Sequence, residues 1–481
     1  VLRGGVWIFA ARLASRLLGL ASLMILARLL VPEDFGLMGI GLIVIETLEL
    51  FSETGFEQAM VQRRDRIEKY VDTTWTVNIL RGFALGGLVL LMAPVIGLFF
   101  DDQRVTGLLQ VLALSPVVKG FANAHVVSFA RELEFDKSFL LNGGGALVQA
   151  AVAVILAAID PSVWALVFGL LAGNLARVVL SFLLTASRPR LSYSGERFRA
   201  LFSFGRWILG SKIVVFLSTQ GDDIIVGKLL GTDALGYYRV SYRVSNLPAT
   251  ELATAVSTVI FPAFAKVQED LGRLRKAFCE TFELITAVSF LLGGLILVLA
   301  DLLVPLLFGE KWTPIVPLVQ ILSVYGIMRS MGSPFGPVFQ AIGRPDLMTK
   351  IQLFNLAVLA AVIFPMTFRW GVVGTAAAVV AASVAVAPFN FWLILRVTGT
   401  PTSRLLAPVV RAASYLALCL GTTSMSRLLC TEDASRIWVG AAVACGGVLY
   451  LALWALHWRK AGSEIWELLR PLRERLGLAH R

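Results

Sequence analysis

The chain has 481 residues, of which 57% are hydrophobic and 16% charged. With a mean hydropathy of +0.77, this excludes a soluble multidomain protein, in which charged residues average about 25%. The net charge of +11 comes with no basic soluble domain, so nucleic acid binding is not expected. The cysteines (Cys279, Cys419, Cys430, Cys445) show no CxxC spacing and the three histidines are far apart. Neither a disulfide framework, a metal site nor a cofactor is expected.

The first apolar run, 4–30, gives roughly 40 Å of helix at 1.5 Å per residue, long enough to cross a bilayer. It is too long for a signal peptide and lacks a small-residue cleavage site. It carries Arg12, Arg16 and Arg28. With Arg12 at zero, Arg16 lies near 40°, and Ser15, Gly19 and Ser22 fall within about 80° on the other side. One face is therefore cationic and small. A cation at the centre of a span costs about 2.5–3.5 kcal/mol and faces protein or water. The helix is read as lining an aqueous, anion-attracting cavity, with Arg28 snorkelling near its end.

About 14 spans follow from apolar length: 5–30, 36–60, 71–99, 105–129, 139–159, 163–185, 205–229, 235–261, 277–308, 316–341, 347–365, 371–396, 405–425 and 435–458. Lys and Arg concentrate in alternate loops, among them Arg63, Arg64, Arg66 and Lys69, then Arg188, Arg190, Arg197 and Arg199, and the tail from Arg459. An even number of spans with this bias puts both termini in the cytoplasm. The outward loops are all short, so no extracytoplasmic domain is expected.

The halves repeat. GVWI (5–8) matches GRWI (205–208), Arg12 matches Lys212, and ARLLVPEDFG (27–36) matches GKLLGTDALG (227–236). Further on, GGLVLLMA (86–93) resembles GGLILVLA (293–300), and LLQVLAL (108–114) matches LVQILSV (318–324), which sets Lys119 against Arg329. Ordered pairs at a slowly growing offset describe two parallel six-helix lobes. The expected organisation is an N-terminal lobe at 1–185, a cytoplasmic linker at 186–204, a C-terminal lobe at 205–397, two further helices over 398–458 and a basic tail at 459–481. The tail is read as an interfacial helix or as a disordered segment.

The GxxW opening (4–7), ARLLVPEDFGLMGI (27–40), FSETGFEQAMVQR (51–63) and LEFDKSF (133–139) resemble the polysaccharide-transporter family. Its members are Wzx-type lipid-linked oligosaccharide flippases of the multidrug/oligosaccharidyl-lipid/polysaccharide exporter superfamily. The resemblance implies a two-lobed, V-shaped transporter that works by alternating access in the bacterial inner membrane. It implies undecaprenyl pyrophosphate carrying an oligosaccharide repeat unit as substrate, for surface polysaccharide synthesis, with membrane lipids, a polymerase and chain-length machinery as partners.

The charges inside the spans agree with that substrate class. Arg12, Arg16, Lys119, Lys212 and Arg329 lie deep, and Arg239 and Arg243 nearer the outer end of their span. Lining a cavity for a pyrophosphate is the expectation; pairing with intramembrane acids is the alternative. Glu46, Glu49, Glu53 and Glu57 share one helix face and are expected to pair with Arg81 or neighbouring cations. Asp222, Asp223 and Glu251 are candidates for coupling to H⁺ or Na⁺, since the matching positions of the first repeat are Ser22 and Leu23. Hydration near the outer third is the plainer reading of the two aspartates. Arg239, Arg243, Asn246 and Thr250 form a stripe beside Tyr238 and Tyr242, read either as a sugar-contacting face or as an interfacial belt. The glycines and prolines of GSPFGP (332–337) mark either a hinge or close helix packing. An exporter of small molecules shares the expected fold. A membrane glycosyltransferase or polymerase would need a catalytic acid or base on a substantial outer loop, and the outer loops carry none of that size.

Overall fold

In a computed structural model the described residues are 18–52, 60, 68–132, 134–195, 216, 220–250, 264, 267, 269–344, 346–429, 447, 448, 450 and 454. Among them every regular element is helical, as the composition requires of a chain that must satisfy its backbone within the bilayer. Six helices are long and apolar enough to cross a membrane. The chain forms two compact units, Val1–Arg239 and Val240–Arg481.

The first unit begins with α1 (Leu18–Leu29) and α2 (Pro32–Phe51). Val31 is extended (φ −94°, ψ 160°), Pro32 opens α2, and Glu33 and Asp34 occupy its first turn. Asp34 accepts from the Val31 N–H at 3.2 Å. Proline tolerates the missing donor there, and the acids oppose the positive helix end. Helix α3 (Glu68–Phe99) leads into the expected span 105–129, which is broken into α4 (Gln103–Leu112), α5 (Leu114–Gly120), a 3-10 turn and α6 (Val127–Arg131). Pro116 has no N–H to donate to the Leu112 carbonyl, which explains the first break. The second break is at buried Asn123. Its backbone N–H donates to Ser181 Oγ at 2.9 Å, and its side-chain amide donates to Thr185 Oγ1 at 2.7 Å.

Helices α7 (Phe135–Ile159) and α8 (Val163–Leu183) pack through small residues. A Cβ on Gly169 would lie 2.7 Å from Ala153 Cβ, and one on Gly173 2.9 Å from the Gly145 carbonyl. Lipid supplies no hydrophobic drive between helices, so close backbone approach does this work. The described part of the expected linker runs back along α3: the Arg190 N–H donates to Asp72 at 2.9 Å and the Ser192 N–H to Thr76 at 3.0 Å.

The repeat is visible in the geometry. Helix α9 covers 220–230 and α10 is Thr232–Ser245. A Cβ on Gly36 would lie 1.8 Å from the Thr232 carbonyl, and one on Gly236 1.9 Å from the Pro32 carbonyl. Pro32 and Thr232 are repeat partners, as are Gly36 and Gly236, so equivalent chain segments cross backbone to backbone about a local two-fold.

At the C-terminal end of α3, Asp101 takes a left-handed conformation (φ 56°) and accepts from Lys228 at 2.6 Å. Asp102 caps α4 and accepts from the Arg104 side chain at 2.7 and 3.0 Å. That hydrogen bonding holds the Asp102 carboxyl below the usual carboxylate range. Because the folded value is depressed, the pair stabilises fully above the unfolded value of about 3.9, and its contribution is lost as pH falls through the folded value. Arg104 is 55% exposed and solvent screens the pair, so the expected gain is under about 1 kcal/mol. Acid melting of Arg104→Ala against the parent should show curves that differ at pH 6 and merge at the acid end. A constant difference across that range would refute the assignment.

The second unit is built on α11 (Leu271–Phe308), capped by Asp270, which accepts from the Gly272 and Arg273 N–H groups at 2.9 and 3.0 Å. A 3-10 turn (Glu310–Ile315) leads to α12 (Val316–Gly332) and α13 (Phe335–Ala341). GSPFGP is the break between these two helices, because Pro337 cannot donate to the Ser333 carbonyl. Gly293 and Gly294, by contrast, serve packing: a Cβ on either would lie 2.4 Å from Ile327 or Leu416. Helix α14 (Asp346–Thr398) is two helices joined at Gly371 (φ 58°, ψ −140°), in accord with the expected spans 347–365 and 371–396. Helix α15 is Thr402–Leu429. The core gathers Phe278, Phe282, Phe335 and Phe391, with ring centroids about 6 Å apart. The expected tail helix and most of span 435–458 lie outside the described residues.

Candidate functional site

Arg12, Arg16, Lys212, Glu251, Glu53 and Glu57 lie outside the described residues. The others occupy two settings, one in each unit.

In the first unit α2 presents Glu46 and Glu49 one turn apart, as its 100° period requires. Lys119 Nζ sits 2.9 and 3.1 Å from the two Glu49 carboxylate oxygens, in a pair that is partly exposed (44% and 27%). Arg81 donates to the Glu49 carbonyl at 2.7 Å and to Ser52 Oγ at 2.9 Å. Glu46 accepts from Gln220 at 3.0 Å. The expected pairing of the acidic face therefore holds at Glu49, with Lys119 as the cation.

Asp222 and Asp223 are buried at 5% and 8% exposure, so hydration does not account for them. Arg239 Nη1 lies 3.2 Å from Asp223 Oδ2 and 3.1 Å from the Gly39 carbonyl. Gly39 is the repeat partner of Arg239, and a Cβ there would come within 2.7 Å of the arginine Cδ. One repeat supplies the cation and the other the empty space that receives it. Fully buried Tyr238 donates its hydroxyl to Asp222. Tyr238 is thus committed to the interior, away from the sugar-contacting face on which the spacing placed it.

In the second unit the tight contact of α10 with α12 fixes the side chains. A Cβ on Gly326 would lie 2.6 Å from the Ser245 carbonyl, and the Ser245 hydroxyl donates to the Val319 carbonyl at 3.0 Å. Beside this contact Arg329 donates to Tyr242 Oη at 3.1 Å, and Tyr242 meets Tyr325 with centroids 5.9 Å apart and planes at 44°. Arg329 and Arg243 are exposed, whereas Asn246 is buried and donates to the Tyr242 carbonyl at 3.2 Å. The predicted stripe of α10 is thereby split between solvent and interior.

A pair that the sequence reading missed lies on α11 and α15: Arg411 donates to Glu283 at 2.9 Å. The pair lines a small pocket with Tyr415 and Tyr450, and a second pocket beside Tyr450 is lined by Gly294, Leu295, Val298 and Leu416. The available signal was a lone arginine within an apolar stretch. Among the described residues no cluster of three His, Cys, Asp or Glu could hold a metal ion.

These surfaces position cations and aromatic rings on helices. A family model described as polysaccharide biosynthesis protein matches residues 25–317. The lipopolysaccharide biosynthesis protein WzxC of Escherichia coli (strain K12) is 29% identical over 73% of this chain and 72% of its own. The teichuronic acid biosynthesis protein TuaB of Bacillus subtilis (strain 168) is 26% identical over 87% of each chain. Among solved structures, the lipid II flippase MurJ in an inward closed conformation aligns with a TM-score of 0.77, covering 95% of this chain and 99% of that one at 15% identity. That likeness establishes the fold.

Proposed function

We propose that this chain, which belongs to the polysaccharide biosynthesis protein family, is a flippase for lipid-linked oligosaccharide. It is a multi-pass membrane protein, and in this reading it sits in a bacterial inner membrane with both termini in the cytoplasm. It carries an undecaprenyl-pyrophosphate-linked repeat unit to the outer leaflet by alternating access, performs no bond chemistry, and hands its cargo to a polymerase. The names of its relatives, lipopolysaccharide and teichuronic acid biosynthesis proteins, support the substrate class.

The observation that carries this reading is Arg329. It is exposed on an apolar helix, and among the described residues it meets no carboxylate, only a phenol. A guanidinium in an apolar span faces protein or water, and this one stays poised for an anion that must leave the headgroup region. Arg12, Arg16 and Lys212 extend the same set in the proposal. Asp222, Asp223 and Glu251 remain its candidates for coupling to H⁺ or Na⁺. Arg239 is the weakest member, because Asp223 already neutralises it.

The test is translocation of a fluorescent polyprenyl-pyrophosphate oligosaccharide in proteoliposomes. Wild type should move the probe, and Arg329→Gln should slow it about tenfold or more, as expected for loss of a charged hydrogen bond of about 1.5–3 kcal/mol. No movement by wild type under any imposed gradient would sink the flippase reading.

A further inference from the structure

The repeat sets a cation at matching positions, Lys119 and Arg329, and their surroundings differ. Lys119 is neutralised in place by Glu49. Its partner Arg329 is held by Tyr242, with Tyr325 beside it. Tyr325 and Arg329 are four residues apart on α12 and share a face. Both rings are half-buried and the guanidinium is exposed.

This geometry does not depend on a ligand. Gly326 brings α12 against Ser245 with no side chain between them, and the Ser245 hydroxyl ties the two helices. Tyr242, one turn before Ser245, is thereby fixed at the height of Tyr325. Aromatic rings in an apolar span need no arginine for packing, and an arginine in a span needs no phenol when an acid can serve. Two rings with a guanidinium at their edge present what a sugar needs: apolar faces for its C–H groups and a forked donor for an oxyanion.

We infer that Tyr242, Tyr325 and Arg329 form a saccharide platform that takes a pyranose ring bearing an oxyanion. The ring stacks on the tyrosine pair, and the oxyanion pairs with Arg329. The inference rests on the flippase reading and adds to it the place where the first sugar is recognised. Tyr238, on the same helix, is excluded by its burial. The oxyanion has two sources, the pyrophosphate that joins sugar to lipid and the carboxylate of an acidic sugar.

The test uses the full chain in nanodiscs with three probes: bare undecaprenyl pyrophosphate, the same lipid carrying N-acetylglucosamine, and a glucuronate disaccharide without lipid. Wild type should bind the sugar-bearing lipid about tenfold more tightly than the bare one, the upper range for an aromatic contact. Tyr325→Leu should abolish that preference and leave bare-lipid binding unchanged. A melting temperature of Tyr325→Leu near that of wild type serves as the folding control. If Arg329→Gln weakens the bare lipid, the oxyanion is the pyrophosphate. If it weakens only the disaccharide, the oxyanion is a carboxylate. An Arg329→Gln variant that binds all three probes as wild type does overturns the platform, as does a Tyr325→Leu variant that loses both lipids equally. Wild type binding neither lipid better than phosphatidylglycerol overturns the flippase reading itself.

Discussion

Asp223→Ala is expected to destabilise the protein by about 3–5 kcal/mol, because it strands a guanidinium that is mostly removed from solvent. Arg239 is 23% exposed and Asp223 11%, so neither is screened as a surface pair would be. Arg239→Met should also destabilise, leaving Asp223 without its cation and the Gly39 carbonyl without its donor. The double variant Asp223→Leu/Arg239→Met should recover most of the loss, since replacing both members of a buried pair with apolar groups is often neutral. What remains should be about 1 kcal/mol for the unpaired carbonyl. Thermal melting of the detergent-solubilised protein measures all three. If the two single losses simply add in the double variant, the groups do not interact and the pair is refuted. The same series bears on transport. A pair that matters only for folding leaves translocation in the double variant near that of wild type, so Arg239 would not be a substrate ligand.

How far the sequence reveals this site depends on whether the partners share a helix. The offset between 27–36 and 227–236 was legible in the letters, and the Gly36–Gly236 crossing is its physical form. The acidic face of α2 was legible too, because a 100° rotation per residue places Glu46 and Glu49 together. The partners across helices were not. The structure sets Asp223 against Arg239 on the next helix, a pairing that no single-helix wheel contains. Face geometry also put Arg239, Arg243 and Asn246 in one stripe, yet α12 covers Asn246 and leaves Arg243 exposed. A helical wheel gives directions but not the neighbour that lies in each direction. The broken span at 105–129 had a local signal in Pro116, which a span count based on hydropathy passes over, because proline and glycine are tolerated in membrane helices. Arg411 and Glu283 were hidden in a different way: they are 128 residues apart, and each looks unremarkable until the other is placed.

Gly36→Ala and Gly236→Ala should be among the most damaging small substitutions at the described residues, each costing about 3 kcal/mol or more. A methyl group at 1.8 or 1.9 Å from a backbone carbonyl oxygen cannot be relieved by a rotamer change. The two backbones must separate, and the contacts around the crossing go with them. Gly87→Ala is the control. Nothing lies within 4 Å of its Cβ position inside α3, so alanine there should be neutral or more stable by up to about 1 kcal/mol. Because the crossing is two-fold, the two damaging substitutions should cost similar amounts. They should also fail to add. Once one methyl has separated the segments, the second enters space already opened, and the double variant should lose clearly less than the sum. Melting temperature and membrane yield of the four variants test this directly. Full additivity, or a harmless Gly236→Ala beside a damaging Gly36→Ala, would show that the crossing is not the reciprocal contact described here.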